Sequence, residues 1–244
     1  MFVTTLSSKL LDEYGRQTVA TWSAFTQRRI AVIVGPEEVA TFRSALDARY
    51  EVLPFSESSL ASMRAIRKRE NELNHRRGDY RFQAARFAWK VFALADVFDA
   101  YPDEPVITWL DADSLLRPGI DGWLQKLFSP THGVSFLGRA HKQLHVESGL
   151  VNFLGDDGRA LYRRVVDAYR SLDLFNYKEW HDGYVVTPFF QFSRHGFDIS
   201  RQHRVRSSNP LYEIDRGLHL LHLKGQRKAS SSFLLDDIRV WLGR

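Results

Sequence analysis

The sequence predicts an α/β domain with a mostly parallel central sheet flanked by helices, and three observations predict it. Residues 28–73 alternate strand-like and helix-like patterns, the β-α-β-α opening of a parallel sheet. Residues 106–110 (Val-Ile-Thr-Trp-Leu) form a short apolar run with a β-branched start, as a buried strand does. That run ends in two carboxylates, Asp111 and Asp113, in the position where open α/β sheets bind ligands. A length of 244 residues with 44% hydrophobic content suits one sizeable domain, 1–244.

In chain order, residues 1–26 carry a weakly amphipathic segment around Leu10, Leu11, Tyr14, Trp22 and Phe25. Residues 28–34 (Arg-Arg-Ile-Ala-Val-Ile-Val) read as the first strand, broken by Gly35-Pro36. Residues 37–49 read as a helix with Val39, Phe42 and Leu46 on one face. Residues 50–53 are a short strand stopped by Pro54, and 56–73 are helical with Leu60, Met63 and Ile66 aligned. Positions 64–77 are crowded with Arg64, Arg67, Lys68, Arg69, His75, Arg76 and Arg77. They fit either a solvated helix face and loop or a mobile basic flap over an anionic ligand.

Residues 79–101 read as the longest helix, with Phe82, Ala85, Trp89, Phe92 and Asp96 on one face. Arg86 and Lys90 are four apart and so are neighbours on it, within reach of a diphosphate or simply surface cations. Asp111 and Asp113 would point the same way in an extended chain and can converge on one ion in a turn. Two hard oxygen ligands suit Mg2+ or Mn2+ shared with substrate phosphates. The plainer alternative is a strand-ending Asp followed by a helix-capping one.

Beyond Pro118-Gly119 the pattern predicts a helix at 120–128, a strand at 134–138, a polar span at 139–147 with His141, Lys142 and His145, a strand at 147–154 and a helix at 160–172. Residues 180–184 (Trp-His-Asp-Gly-Tyr) set an imidazole and a carboxylate between aromatics. Asp182 there is either a helix N-cap or a base whose pKa is raised by apolar neighbours. Residues 218–225 alternate like a strand, with His219 and His222 on opposite faces. A serine run and an amphipathic tail, 233–241, follow, and there is no internal repeat.

Composition narrows the function classes. With no cysteine there is no disulfide, no thiolate zinc site and no cysteine nucleophile. The start lacks a signal-peptide pattern, and no apolar stretch approaches the ~20 residues that span a bilayer. The expectation is a cytoplasmic protein. A net charge of +5 favours anionic partners, and 13% aromatic content suits ring-stacking ligands.

Four signals lie in one order: Arg86 and Lys90 on a helix, Asp111-Ala112-Asp113 after a strand, Glu147-Ser148-Gly149-Leu150-Val151, and His222-Leu223-Lys224-Gly225. That order resembles the GT-A fold glycosyltransferases that use nucleotide-sugar donors, over residues 28–228, with a bacterial or phage surface-polysaccharide flavour. The resemblance implies a nucleotide-sugar-binding half at 28–115, an acceptor-side half at 116–228 and a C-terminal tail at 229–244. It implies Mn2+ or Mg2+ held by Asp113, Asp111 and His222, with Asp111 also near the ribose. Arg86, Lys90 and Lys224 would serve the donor diphosphate. Trp180, His181 and Tyr184 would serve a carbohydrate or lipid-linked acceptor. Glu147 departs from the Asn that related chains often carry before Ser-Gly.

Such chemistry needs positive charge where the nucleotide diphosphate leaves, and an inverting reaction needs a base, Asp182 first and Glu147 second. A retaining reaction needs no separate base. Acceptors that are lipid-linked would place the basic protein peripherally at the inner membrane face. Two rivals stand beside this reading. One is a haloacid-dehalogenase-like phosphatase with Asp111 as nucleophile, although two β-α units precede its motif here and little chain follows Asp237. The other is a basic binding module using 64–77, although that cluster lacks the interleaved aromatics and motifs of nucleic-acid binders, so no nucleic-acid partner is expected.

Overall fold

A computed structural model describes residues 1–73, 78–139, 144–206 and 209–222. The chain opens with β1 (Phe2–Thr5), a strand where the sequence reading has only a weakly amphipathic segment. Phe-Val-Thr-Thr is short and half hydroxyl-bearing, yet Val and Thr favour strands, and Phe2 and Val3 are fully buried. A short α1 (Ser8–Leu10), a π-helical turn (Leu11–Gly15) and α2 (Arg16–Phe25) lead to β2 (Ile30–Val34). Then come α3 (Val39–Ala45), β3 (Tyr50–Pro54) and α4 (Glu57–Leu73). The helix expected at 79–101 is a 3-10 turn (Tyr80–Phe82) followed by α5 (Ala84–Ala100). Gln83, at φ −97° and ψ 60°, separates the two.

After β4 (Val106–Leu110) come β5 (Ser114–Leu116), α6 (Ile120–Leu127), β6 (Val134–Arg139) and β7 (Leu144–Leu154). Next are α7 (Gly155–Arg170), α8 (Asp182–Gln191), β8 (Gly196–Asp198) and α9 (Ile199–Gln202). The described chain finishes with α10 (Pro210–Asp215) and β9 (Leu220–His222). Lys224 and the expected tail lie outside the described residues, as do positions 74–77 of the basic cluster and His141 and Lys142.

Seven strands form one sheet in the order β3-β2-β1-β4-β7-β6-β8. The β3-β2, β2-β1, β1-β4 and β6-β8 pairs are parallel, while β7 runs antiparallel to both β4 and β6. Helices cover both faces, which is why β2 reads as an unbroken apolar run instead of an alternating one. Val3, Ala31 and Ile33 enter the core under α5, whereas Phe2, Ile30 and Val32 enter the core containing Trp22 and Leu124. Each Val, Ile or Phe among them contributes roughly 1.5–3 kcal/mol relative to exposure.

Helix α5 carries the first cation of the site, and both its ends are anchored. Glu70 Oε2 accepts from Ala85 N at 2.7 Å, a carboxylate at the positive end of the helix. The buried Arg159 donates to Phe98 O at 3.0 Å and to Tyr101 O at 2.8 Å, satisfying carbonyls that the C-terminal turn leaves open. No helix among the described residues is long and apolar enough to cross a membrane.

Candidate functional site: a carboxylate–imidazole cradle in an open cleft

β4 delivers the two carboxylates to the edge of a cleft. Beyond Leu110 the chain turns, closed by Ser114 N donating to Asp111 O at 3.0 Å. It then enters β5, which pairs antiparallel with β9 and sets His222 opposite Ser114. His222 Nε2 thereby comes within 2.8 Å of Asp113 Oδ1 and 3.7 Å of Asp111 Oδ2. Asp111, Asp113 and His222 offer three ligand atoms within 4.8 Å of one another. The sequence points to all three, although a strand pairing from the far end of the chain is what joins them.

Gly149 on β7 makes the space for this group. A Cβ there would lie 2.9 Å from His222 Cε1 and 3.1 Å from Asp111 Oδ2. The Ser-Gly pair that opens this strand therefore has a steric reason at its second position.

Lys90 holds the neighbouring carboxylates. Its Nζ donates to Asp111 Oδ1 at 2.9 Å and to Ser148 O at 2.5 Å, and lies 2.9 Å from Asp182 Oδ2. Trp109 Nε1 also donates to Asp111 Oδ1, at 2.6 Å. One Asp111 oxygen is thus occupied, leaving Oδ2 directed at the cradle. Burial alone would lower the Lys90 ammonium, but the Asp111 and Asp182 charges outweigh it and hold its pKa above the usual value.

This arrangement corrects two expectations. Lys90 is committed to two carboxylates and does not stand free to meet a diphosphate. Asp182 is not a carboxylate with a raised pKa: burial pushes upward, yet the Lys90 charge and hydrogen bond prevail and lower it. Nor is Asp182 the N-cap, because it is the first residue of α8 and His181 caps the helix by accepting from Tyr184 N.

The chemistry around the cradle fits a divalent cation. Among the described residues, three carboxylates, Asp111, Asp113 and Asp182, gather around the Lys90 ammonium and the His222 imidazole, so the site is rich in carboxylate oxygen. Burial, and then the Asp113 and Asp111 charges, push the nearby Tyr14 phenol upward, as such a potential should. His222 Nδ1 is buried without a hydrogen-bond partner. Carboxylate oxygens with one imidazole form a donor set suited to Mn2+ or Mg2+.

The cradle sits midway along a cleft of about 1390 Å³. That exceeds the ~300–1,000 Å³ of a single small-molecule pocket. One end is formed by Thr5, Leu6 and Ser7 beyond β1, with Arg67 and Arg86 also on the lining. Arg86 is exposed, and its guanidinium donates to Gln83 Oε1 at 3.4 Å. The other end is formed by β6 and β7, whose residues Arg139, His145 and Glu147 line the wall. Glu147 is buried and ion-paired with Arg139.

The acceptor residues expected from the sequence separate. His181 lines the cleft, but Trp180 does not. Trp180 is 4% exposed, packs edge-on against Phe82 and Phe175, and donates Nε1 to Tyr177 O. An indole facing this much aromatic surface belongs to the core. Tyr184 is half-buried, off the cleft wall, against the His181 ring. The cleft also presents Tyr80, Phe87 and His145, none of which the sequence reading gave an acceptor role. Tyr80 carried one weak signal, an aromatic directly after a polar, glycine-containing break.

A second group, His145, Glu179 and His181, also has ligand atoms within 4.8 Å. Both His181 nitrogens and His145 Nε2 already have partners. His181 Nδ1 accepts from Tyr184 N while Nε2 meets Glu179 Oε2 at 3.1 Å, and His145 Nε2 faces Arg139 Nη1 at 3.2 Å. A cation there would compete with these contacts and sit beside a guanidinium.

No protein-family model and no curated protein sequence matches the chain. Solved structures do match. An active-site mutant of LgtC aligns with TM-score 0.55 and 12% identity over 92% of this chain and 87% of that one. The glycosyltransferase GlyE of Streptococcus pneumoniae aligns with TM-score 0.54 and 10% identity over 92% of this chain and 55% of that one. The chain thus spans little more than half of the GlyE structure. The architecture is the GT-A fold, as the order of motifs implies, and it displaces the phosphatase expectation.

Proposed function

We propose that this chain is a metal-dependent glycosyltransferase, moving a sugar from a nucleotide-diphosphate sugar to a hydroxyl of a glycan or glycolipid, in surface-polysaccharide synthesis. The observation that carries this is the Asp111–Asp113–His222 cradle, with three ligand atoms within 4.8 Å of one another and the space left by Gly149. The solved structures that share the fold include glycosyltransferases, which supports the same reading.

Asp113, His222 and the free oxygen of Asp111 would hold the cation, which when bound supplies positive charge to the departing diphosphate. Arg86 and Arg67 add fixed positive charge from the cleft lining, and Lys224, two residues past His222, is placed by sequence to do the same. Lys90 fixes Asp111 and Asp182 in one orientation. Both candidate bases, Asp182 and Glu147, are held in ion pairs. That favours a retaining transfer in which these carboxylates bind sugar hydroxyls and take no proton. The basic surface suits a peripheral place at the cytoplasmic membrane face, beside lipid-linked acceptors.

The test is a thermal-shift screen of UDP, GDP, CMP and their sugars with Mn2+, Mg2+ or EDTA. A ligand bound by the native state alone raises apparent stability by mass action. The proposal requires a shift for one nucleotide that disappears with EDTA and in Asp113→Ala. Absence of any metal-dependent nucleotide shift overturns it.

A further inference from the structure

We infer that the β6–β7 end of the cleft is an acceptor subsite for an uncharged pyranose ring, with Tyr80 as its stacking platform and the Arg139–Glu147 pair as its hydroxyl reader. This rests on the transferase reading and adds to it the chemical class of the acceptor.

Position comes first. β7 runs antiparallel to β4, so its early residues, His145 to Ser148, stand at the same edge of the sheet as Asp111 and Asp113. They lie on the opposite side of β4 from β1, whose end forms the other half of the cleft. Two substrates meeting at the cradle would therefore approach from these two sides.

The wall is aromatic and held in place. Tyr80 is 50% exposed and is one of few large apolar side chains in the described residues that remain so. Its ring centroid is 5.6 Å from that of His181, and Phe87 lies 5.9 Å from the same imidazole on another side. His181 is fixed through both nitrogens, by Tyr184 N and Glu179. An exposed aromatic face braced by a fixed ring suits the apolar face of a sugar, with the phenol free to meet a hydroxyl.

Beside it, Arg139 is 9% exposed, pairs with Glu147 and faces His145, while its Nε has no hydrogen-bond partner among the described residues. A buried donor without a partner is costly, and a ligand hydroxyl would offset that cost. Charge then selects among sugars. Arg139 is balanced by Glu147, and burial, with His181 and Arg139 behind it, pushes His145 down to about 4, so its imidazole is neutral at pH 7. Glu179 faces His181 and, at 3.9 Å, Arg81. Among the described residues, the wall has no cation without a carboxylate partner to select a uronate or a sugar phosphate, unlike the Arg67 and Arg86 side.

The experiment is saturation-transfer NMR on the whole protein with the diamagnetic ion Mg2+ and the nucleotide chosen by thermal shift, or with Mg2+ alone if none is found. The probes are methyl glycosides of neutral hexoses, methyl glucuronide and a hexose 1-phosphate. Neutral glycosides should bind, and the charged probes should bind at least about tenfold more weakly. Tyr80→Ala should weaken the neutral glycoside about tenfold and Tyr80→Trp should restore it, both with the nucleotide shift intact. Preference for a charged probe, an affinity unchanged in Tyr80→Ala, or no glycoside binding by the wild type overturns the subsite. Failure of the nucleotide shift counts separately, against the transferase reading.

Discussion

Lys90 Nζ lies 2.9 Å from Asp182 Oδ2, and this contact ties α5 to the start of α8 directly behind the cradle. Removing one partner of a buried pair leaves an uncompensated charge, which costs about 3–5 kcal/mol. Here Lys90→Met leaves Asp111 and Asp182 facing each other. Urea unfolding should show a loss of that size, and a change below about 1 kcal/mol would mean that the pair is solvated.

The same pair predicts behaviour in acid. The folded pKa of Asp182 is depressed, so its contribution is complete above the ordinary carboxylate value and is lost as pH falls through the lowered one. Lys90 is the reverse: its raised pKa keeps its contribution whole below the ordinary lysine value and loses it as pH climbs through the folded one. Asp182→Asn should therefore flatten the fall of Tm on acidification relative to the wild type. Parallel Tm-versus-pH curves for the two proteins would contradict the lowered pKa.

Cation loading has its own signature. At a concentration of 100 times Kd, Mn2+ should stabilise the protein by about 2.7 kcal/mol. His222→Ala should weaken that response while the Asp pair retains part of it, and Asp113→Asn should remove more. Calorimetric titration with Mn2+ measures both, and equal affinities in all three proteins would place the ion elsewhere.

Gly149→Ala probes the cradle's space. The added methyl would stand 2.9 Å from His222 Cε1, inside normal contact distance. Mn2+ affinity should fall by more than about tenfold, with the helical and strand content unchanged by circular dichroism. Full affinity in this variant would show that the imidazole can step aside.

Trp180→Ala separates core from cleft. An indole packed against Phe82 and Phe175 should cost about 3–5 kcal/mol when truncated. Acceptor affinity, measured on the fraction that remains folded, should change little. A large affinity loss with little destabilisation would return Trp180 to the site.

Much of this was legible in the chain. The β2–α3–β3–α4 order and the carboxylates after β4 show because buried strands and amphipathic helices repeat with fixed periods. His222 was legible as a ligand only through the order of motifs, since its own strand has three residues. β1 escaped because four residues give no period to read. Trp180 misled because composition cannot tell an indole facing sugar from one facing Phe82. The partners of Lys90 and Glu147 come from other elements, and sequence spacing on one helix or strand does not encode them.

Ser114 and His222 head a ribbon only three residue pairs long. Two short strands hold together marginally by themselves. An ion gripping Asp113 on one edge and His222 on the other would act as a clasp, fastening the late strand to the middle of the chain. Loading would then be audible at a distance: amide exchange along Leu220–His222 should slow when Mn2+ binds, and a chelator should loosen that strand before the seven-stranded sheet yields.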